Sequence, residues 1–283
     1  TLQRALGASL LTTRGFAAPE VEHVYTRARA LCQRLGDTRE IFPVLFGLFG
    51  FYLVRGDLRT ARELAEHLLT LAQEHHDPAL LLHGHRALGD ALFRLGELVP
   101  ARAHLEQGMA LYHPQQHRAH ALLYGQDPGM GCRGFAALVL WVLGYPDQAL
   151  QRGEEGLSLA HELAHPFSLA FILGQMSQLH GLRREWPAVQ EAAEALMALA
   201  REQGFAQSLA ASLMNWGRTL AAQGRGEVGI PQLRQGLAAY LATGAELARP
   251  LYLAWLAEAY GAGGQPAEGL RVLAEAAAAA QNI

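Results

Sequence analysis

The amino-acid sequence predicts an all-α fold, a right-handed α-solenoid of about seven helical hairpins. Three observations carry the prediction. A segment recurs about every 40 residues, prolines recur at one phase of that segment, and apolar residues recur at helical spacing ahead of it.

The recurring segment reads GDLRTARELAEHLLTLA from Gly56, GELVPARAHLEQGMALY from Gly96 and GYPDQALQRGEEGLSLA from Gly144. It continues as REWPAVQEAAEALMALA from Arg184, GRGEVGIPQLRQGLAAY from Gly224 and GQPAEGLRVLAEAAAAA from Gly264. The starts fall 40, 48, 40, 40 and 40 residues apart, and FAAPEVEHVYTRARALC from Phe16 fits one step upstream. That makes seven copies and one eight-residue insertion. A small or turn-forming residue opens most copies, where one helix ends. Pro19, Pro100, Pro146, Pro187 and Pro266 follow in the first helical turn, where a missing N–H costs little. Five residues into each copy stands Val21, Ala61, Ala101, Ala149, Val189, Gly229 or Gly269, small enough for two helices to approach closely. Pro231 lies deeper in its copy and predicts a late start or a kink there.

A second helix precedes each start. Eight residues upstream lie Leu48, Leu88, Ala136, Met176, Trp216 and Leu256; four upstream lie Tyr52, Leu92, Leu140, His180, Leu220 and Tyr260. These positions are one turn apart and form a stripe facing a neighbouring helix. Seven upstream lie Phe49, Gly89, Ala137, Ser177, Gly217 and Ala257, mostly small. With small positions 12 apart across two helices, the chain resembles tetratricopeptide repeats over nearly its whole length. The classical unit has about 34 residues. The 40-residue unit is similar to the longer-helix variant of large bacterial signalling ATPases and LuxR-type activators. ARAHLEQG at Ala101–Gly108, LLYGQDPG at Leu122–Gly129 and ATGAELARP at Ala242–Pro250 resemble the carboxy-terminal repeat region of bacterial predicted ATPases. Those proteins often carry an adenylate cyclase-like or regulatory domain. The resemblance implies the sensor or interaction arm of such a protein. The chain itself contains no phosphate-binding loop and no cyclase residues.

With 283 residues and 51% apolar content, the chain can fill a core that runs along an axis, one superhelical domain over 1–283. A net charge of −3 argues against a nucleic-acid surface. Every basic residue counted with lysine and arginine is an arginine, which removes lysine-based chemistry. Cys32 and Cys132 read as buried thiols in a reducing compartment, so a cytoplasmic location is expected. The longest apolar run, Ile41 to Val54, is 14 residues, too short for a bilayer. No membrane partner is expected. The start at Thr1 and the alanine-rich close at Ala276 to Ala280 read as cut ends, so an excised piece of a longer protein is expected. Apolar surface at such an end, around Leu2 and Leu6, is a route to a homodimer.

The insertion, an added connection at 113–129, carries His113, His117 and His120. Imidazoles at such spacing can hold zinc or nickel. Pro114 opposes one continuous helix, however, and Asp127 is the only carboxylate, so no metal and no other cofactor is expected. The commoner reading is a lengthened connection packed over one edge of the solenoid; the functional alternative is a cap over a groove, with Tyr124, Gln126 and Asp127 as polar contacts.

The groove is the stronger candidate. In the resembling family the first helix of each pair lines the concave face. Six residues before each start lie Gly50, Asp90, Leu138, Gln178, Arg218 and Glu258, polar in four of six cases. Arg86 and Arg94 lie one turn either side of Asp90, and Asn215 lies one turn before Arg218. Trp141, Phe171 and Met214 are candidate apolar anchors. Solvated residues on an open face explain the same polarity. Arginine forks and carboxylates in a groove also suit a peptide, a partner protein, or another domain of the same polypeptide. A small-molecule receptor closed by the insertion is the alternative. No nucleophile-and-base constellation is visible, and no enzymatic role is expected.

Overall fold

The computed structural model describes residues 2–35 and 38–283, without the side chains of residues 2–4, 35, 38 and 39. Leu2, one of the two residues named for an exposed end, therefore has its side chain outside the described set; Leu6 is half exposed.

Among the described residues the chain is helical throughout, with sixteen helices and no strand. Fourteen of them pair into seven antiparallel hairpins, an all-α solenoid of TPR-like units. The hairpins are α1 (Leu2–Arg14) with α2 (Pro19–Leu35), α3 (Thr38–Arg55) with α4 (Leu58–His75), and α5 (Pro78–Arg94) with α6 (Leu98–Leu111). Two short helices follow, α7 (Pro114–His117) and α8 (His120–Tyr124). Then come α9 (Pro128–Val142) with α10 (Pro146–Leu163), α11 (Pro166–Leu182) with α12 (Trp186–Gln203), α13 (Ala206–Ala222) with α14 (Gly226–Ala242), and α15 (Arg249–Ala262) with α16 (Pro266–Ala280).

The turns inside the hairpins share one chemistry. Gly56, Gly96, Gly144, Gly224 and Gly264 all have positive φ and end the first helix of their pair. At Gly56 the glycine N–H donates to Leu53 O at 3.1 Å, and the Asp57 N–H reaches back to Tyr52 O at 2.9 Å. This pair of hydrogen bonds closes the helix end, and glycine enters that backbone region without a side-chain clash. Arg184 stands at the same place between α11 and α12, with φ 59°. Some of the turns between hairpins use a polar cap and a proline, whereas the α12–α13 turn again uses a positive-φ glycine, Gly204. Asp77 accepts from Ala79 N and Leu80 N ahead of Pro78, and Asp127 accepts from Met130 N ahead of Pro128.

Small residues set the distance between paired helices. A side chain on Gly229 would lie 2.6 Å from Gly217 O, so α13 and α14 touch backbone to backbone. Pro231 does not delay its helix: α14 begins at Gly226, in register with its siblings, and holds the proline inside its second turn. α3 carries the long apolar run in the core, with Phe42, Leu45 and Phe51 almost wholly buried. Cys132 is buried and Cys32 is half-buried. No helix among the described residues is long and apolar enough to cross a membrane.

The solenoid closes on itself. Phe16 N donates to Gln207 Oε1 at 3.1 Å, which ties the first hairpin to α13. Glu246 N and Leu247 N both donate to Val54 O, at 3.0 and 3.1 Å, so the α14–α15 connection docks on the end of α3. Gly244 lies against the backbone of Ala17. The first two hairpins thus meet the last two, and the inner face becomes the wall of a chamber.

Candidate functional site

The chamber is a central cavity of about 440 Å³. Its wall takes side chains from α1, α3, α5, α9, α11, α13 and α15, the first helix of every hairpin. Aromatic rings share the apolar surface with aliphatic side chains, the rings including Phe46, Phe49, Phe135, Phe167, Phe171 and Trp255. Carboxamides interrupt it: Gln126, Gln175, Gln178, Gln207 and Asn215. The charged residues of the wall are Arg86, Asp90 and Arg94.

These three do not pair as a symmetric triad. Arg94 Nε donates to Asp90 Oδ1 at 3.2 Å, one helical turn away. Burial raises the Asp90 carboxyl above the usual range, and the neighbouring guanidinium groups pull against that rise. Arg86 turns to the insertion instead, donating Nη2 to Gln126 Oε1, with its guanidinium over the Phe46 ring at 5.3 Å. Burial lowers the Arg86 pKa. Its Nε and Nη1 are shielded from water and have no hydrogen-bond partner. Three other shielded polar atoms on the wall also lack partners: Gln126 Nε2, Gln175 Oε1 and Asn215 Oδ1.

The candidate residues read from the sequence divide into those that reach the cavity and those that do not. Arg86, Asp90, Arg94, Gln126, Phe171, Gln178 and Asn215 line it. Met214 is fully buried against Gly236 behind the wall, and Trp141 lies under the Arg183 guanidinium, 5.8 Å from ring centre. Arg218 is held between Trp186 and Trp255, at 5.3 and 4.6 Å, and with Glu258 lines a second cleft of about 60 Å³. Trp255 borders both spaces. Gln175, Gln207 and the wall aromatics Phe135 and Trp255 were not among the sequence candidates. Three of them carried a signal: Phe135, Gln175 and Trp255 stand three residues before the repeat positions Leu138, Gln178 and Glu258, on the same helix face.

The insertion supports the wall more than it lines it. Tyr124 is buried beside His83, with ring centroids 3.8 Å apart, and meets Phe46 edge-on at 5.3 Å. Asp127 is fully buried; it accepts from Tyr112 OH at 3.0 Å and caps α9, while its own N–H donates to Ser168 Oγ. His165, Ser168 and Asp127 are residue types that catalytic triads use. Here His165 and Asp127 are helix caps, His165 Nδ1 accepting from Ser168 N at 3.2 Å, and the fully buried Ser168 hydroxyl joins the two caps, 2.9 Å from His165 Nδ1 and accepting from Asp127 N.

The histidines do meet in space. His83 Nε2 and His120 Nδ1 are 3.0 Å apart, and His117 packs beside His120 with centroids at 5.1 Å. His113 stays exposed and donates its backbone N–H to His117 Nδ1. Burial, the main cause, holds His83, His117 and His120 below the ordinary histidine pKa. Among the described residues no three His, Cys, Asp or Glu side chains are arranged to hold a metal ion.

No protein-family model and no curated protein matches the chain. Solved structures do. A Rap protein complexed with Competence and Sporulation Factor gives a TM-score of 0.65 at 11% identity, over 93% of this chain and 82% of that one. Aspartyl phosphate phosphatase F from Bacillus subtilis gives 0.64 at 12% identity, over 98% and 68%. The apo form of the quorum sensor NprR from B. thuringiensis gives 0.50 at 11% identity, over 98% and 86%. At these identities the similarity is one of fold, the TPR-like helical repeat.

Proposed function

We propose that this chain is a non-catalytic binding scaffold that takes a short peptide segment into its central cavity. One observation carries the reading. The wall alternates aromatic surface with carboxamides, and Gln175, Gln178 and Asn215 share it with Phe135, Phe167 and Phe171. A carboxamide offers both a donor and an acceptor, the pair that a peptide unit needs when water is removed from it. The rings supply the apolar anchors. A whole folded partner domain does not fit a space of about 440 Å³ whose ends close on each other, so the partner enters as a segment. The fold neighbours agree in kind: one is complexed with Competence and Sporulation Factor and another is described as a quorum sensor. In a longer signalling ATPase of the kind the sequence resembles, this module would be the sensor arm.

A small-molecule receptor is the second reading, favoured by the cavity volume, which falls in the usual range for such ligands. The insertion would then contribute Gln126, because Tyr124 does not reach the cavity.

Gly174 gives the test. It lines the cavity, and a Cβ added there lies 3.9 Å from Leu196 Cδ2, an ordinary contact. Gly174→Leu should fill the space and stabilise α11 by up to about 1 kcal/mol through helix propensity. The expected result is an unchanged or raised melting temperature with loss of short-peptide retention from a random pentapeptide pool. Equal retention by wild type and Gly174→Leu would place binding outside the cavity and end this reading.

A further inference from the structure

The wall of the cavity carries unmatched donors and unmatched acceptors, and they lie on different elements. The donors are Arg86 Nε and Nη1 on α5 and Gln126 Nε2 at the end of the insertion. The acceptors are Gln175 Oε1 on α11 and Asn215 Oδ1 on α13. The Asn215 amide is oriented by its own helix, since Nδ2 donates to Ala211 O at 3.0 Å and leaves Oδ1 over.

Charge follows the same division. Arg94 is bonded to Asp90, so the one carboxylate of the wall is engaged. Arg86 has 7% of its surface exposed; the charges of Asp90 and Asp127 act on it through space, but no carboxylate is in hydrogen-bond contact with it. A buried guanidinium with no bonded carboxylate and two unpaired N–H groups is costly to keep. Two features nevertheless hold this guanidinium in place. Phe46 lies beneath it, and Gly131 of α9 leaves the room that its Nε occupies. A guanidinium held in this way, on a residue of the cavity wall, has the chemistry to receive a ligand anion.

We infer that the cavity has a direction: Arg86 and Gln126 seat a carboxylate of the ligand, and Gln175 and Asn215 accept hydrogen bonds from its N–H groups. A planar carboxylate matches the fork of a guanidinium. The peptide lies with its acidic end at α5 and its remaining amide groups toward α11 and α13. The carboxylate comes either from the chain terminus or from an acidic side chain. This inference rests on the cavity being the binding site.

The experiment compares ligands before it compares variants, so a variant that misfolds does not decide it. Apolar pentapeptides with free carboxyl termini, the same peptides with terminal amides, and amidated peptides with one internal glutamate are each titrated into the protein by calorimetry. In parallel, 4-phenylbutyrate and 4-phenylbutanol are titrated with detection by ligand-observed NMR. Free-acid peptides are expected to bind at least about tenfold more tightly than the amides, the loss of one charge-assisted hydrogen-bonded pair. Recovery of affinity by the internal glutamate alone assigns the seat to a side chain and still supports it. Arg86→Gln, checked for folding by circular dichroism, should erase the preference, while Arg249→Gln, on an exposed ion pair, should keep it. Equal binding of acid and amide peptides to the wild type overturns the inference and leaves the peptide scaffold standing. If no peptide binds, the scaffold reading falls. An Arg86-dependent preference for phenylbutyrate over phenylbutanol then still upholds the carboxylate seat, and no preference overturns it.

Discussion

Arg184 is one of three non-glycine residues with positive φ among the described residues, and its five counterparts within the hairpins are glycines. It is exposed, and its backbone N–H donates to Gly181 O at 3.2 Å as the glycines do in their turns. A side chain in this region costs about 1–2 kcal/mol, and the greater freedom of glycine in the unfolded chain returns part of that. Arg184→Gly should therefore stabilise the protein by about 0.5–1 kcal/mol, read as a rise in melting temperature with unchanged ligand binding. A fall would mean that the arginine side chain holds the turn in some other way. At this scale the sequence was largely legible. The periodic glycines marked the turns, and Arg86, Asp90 and Arg94 were read as one cluster from their spacing alone. Spacing did not show that Asp90 would pair with Arg94 while Arg86 turned to Gln126, because Gln126 comes from an insertion with no counterpart in the repeat.

The insertion of α7 and α8 is the element that departs from the repeat, and it is where imidazoles accumulate. His83 stacks on His120, and His117 packs against both His120 and Tyr112. A further pair, His85 and His104, joins α5 to α6 with Nδ1 atoms 2.9 Å apart. Burial, then the neighbouring His104, pushes the His85 pKa down to about 4, and burial lowers the others too. The unfolded chain takes up protons at these rings from about pH 6.5 downward, while the folded chain resists them. Stability from this source is complete above about pH 6.5 and declines as the pH drops below it. Asp90 and Asp127, whose carboxyls burial raises, act in the opposite sense and offset part of the decline. The melting temperature should fall between pH 7 and pH 5, and His83→Phe should shrink that fall. A melting temperature level across the interval would contradict the account. The sequence showed that histidines 113, 117 and 120 cluster along the chain. It did not show that His83, one hairpin earlier, would complete the stack while His113 stayed in solvent.

Closure belongs to the whole molecule. It arises from a small rotation repeated from hairpin to hairpin, which no single residue encodes, so the chamber was not legible where the repeat was. The contrast appears at Gln178, Arg218 and Glu258, which hold equivalent places in their repeats. Gln178 lines the cavity, whereas Trp255 stands over Arg218 and separates it and Glu258 into their own cleft. The seam that completes the closure rests on few polar bonds. Gln207→Ala removes the acceptor for Phe16 N and should cost about 1 kcal/mol. Hydrogen exchange should speed up at residues 16–18 and 244–247 and stay slow in α9 to α12. Exchange that accelerates evenly along the chain would show that the seam does not open by itself.

In an open array of repeats each unit leans only on its neighbours, so the terminal units fray first and the array shortens from its ends. The bonds from Val54 O to Glu246 N and Leu247 N give the early hairpins a second set of neighbours. Neither end then comes away without losing contacts on two sides. Denaturation should run as one concerted transition in place of a stepwise retreat, and cutting the clasp should restore the stepwise form.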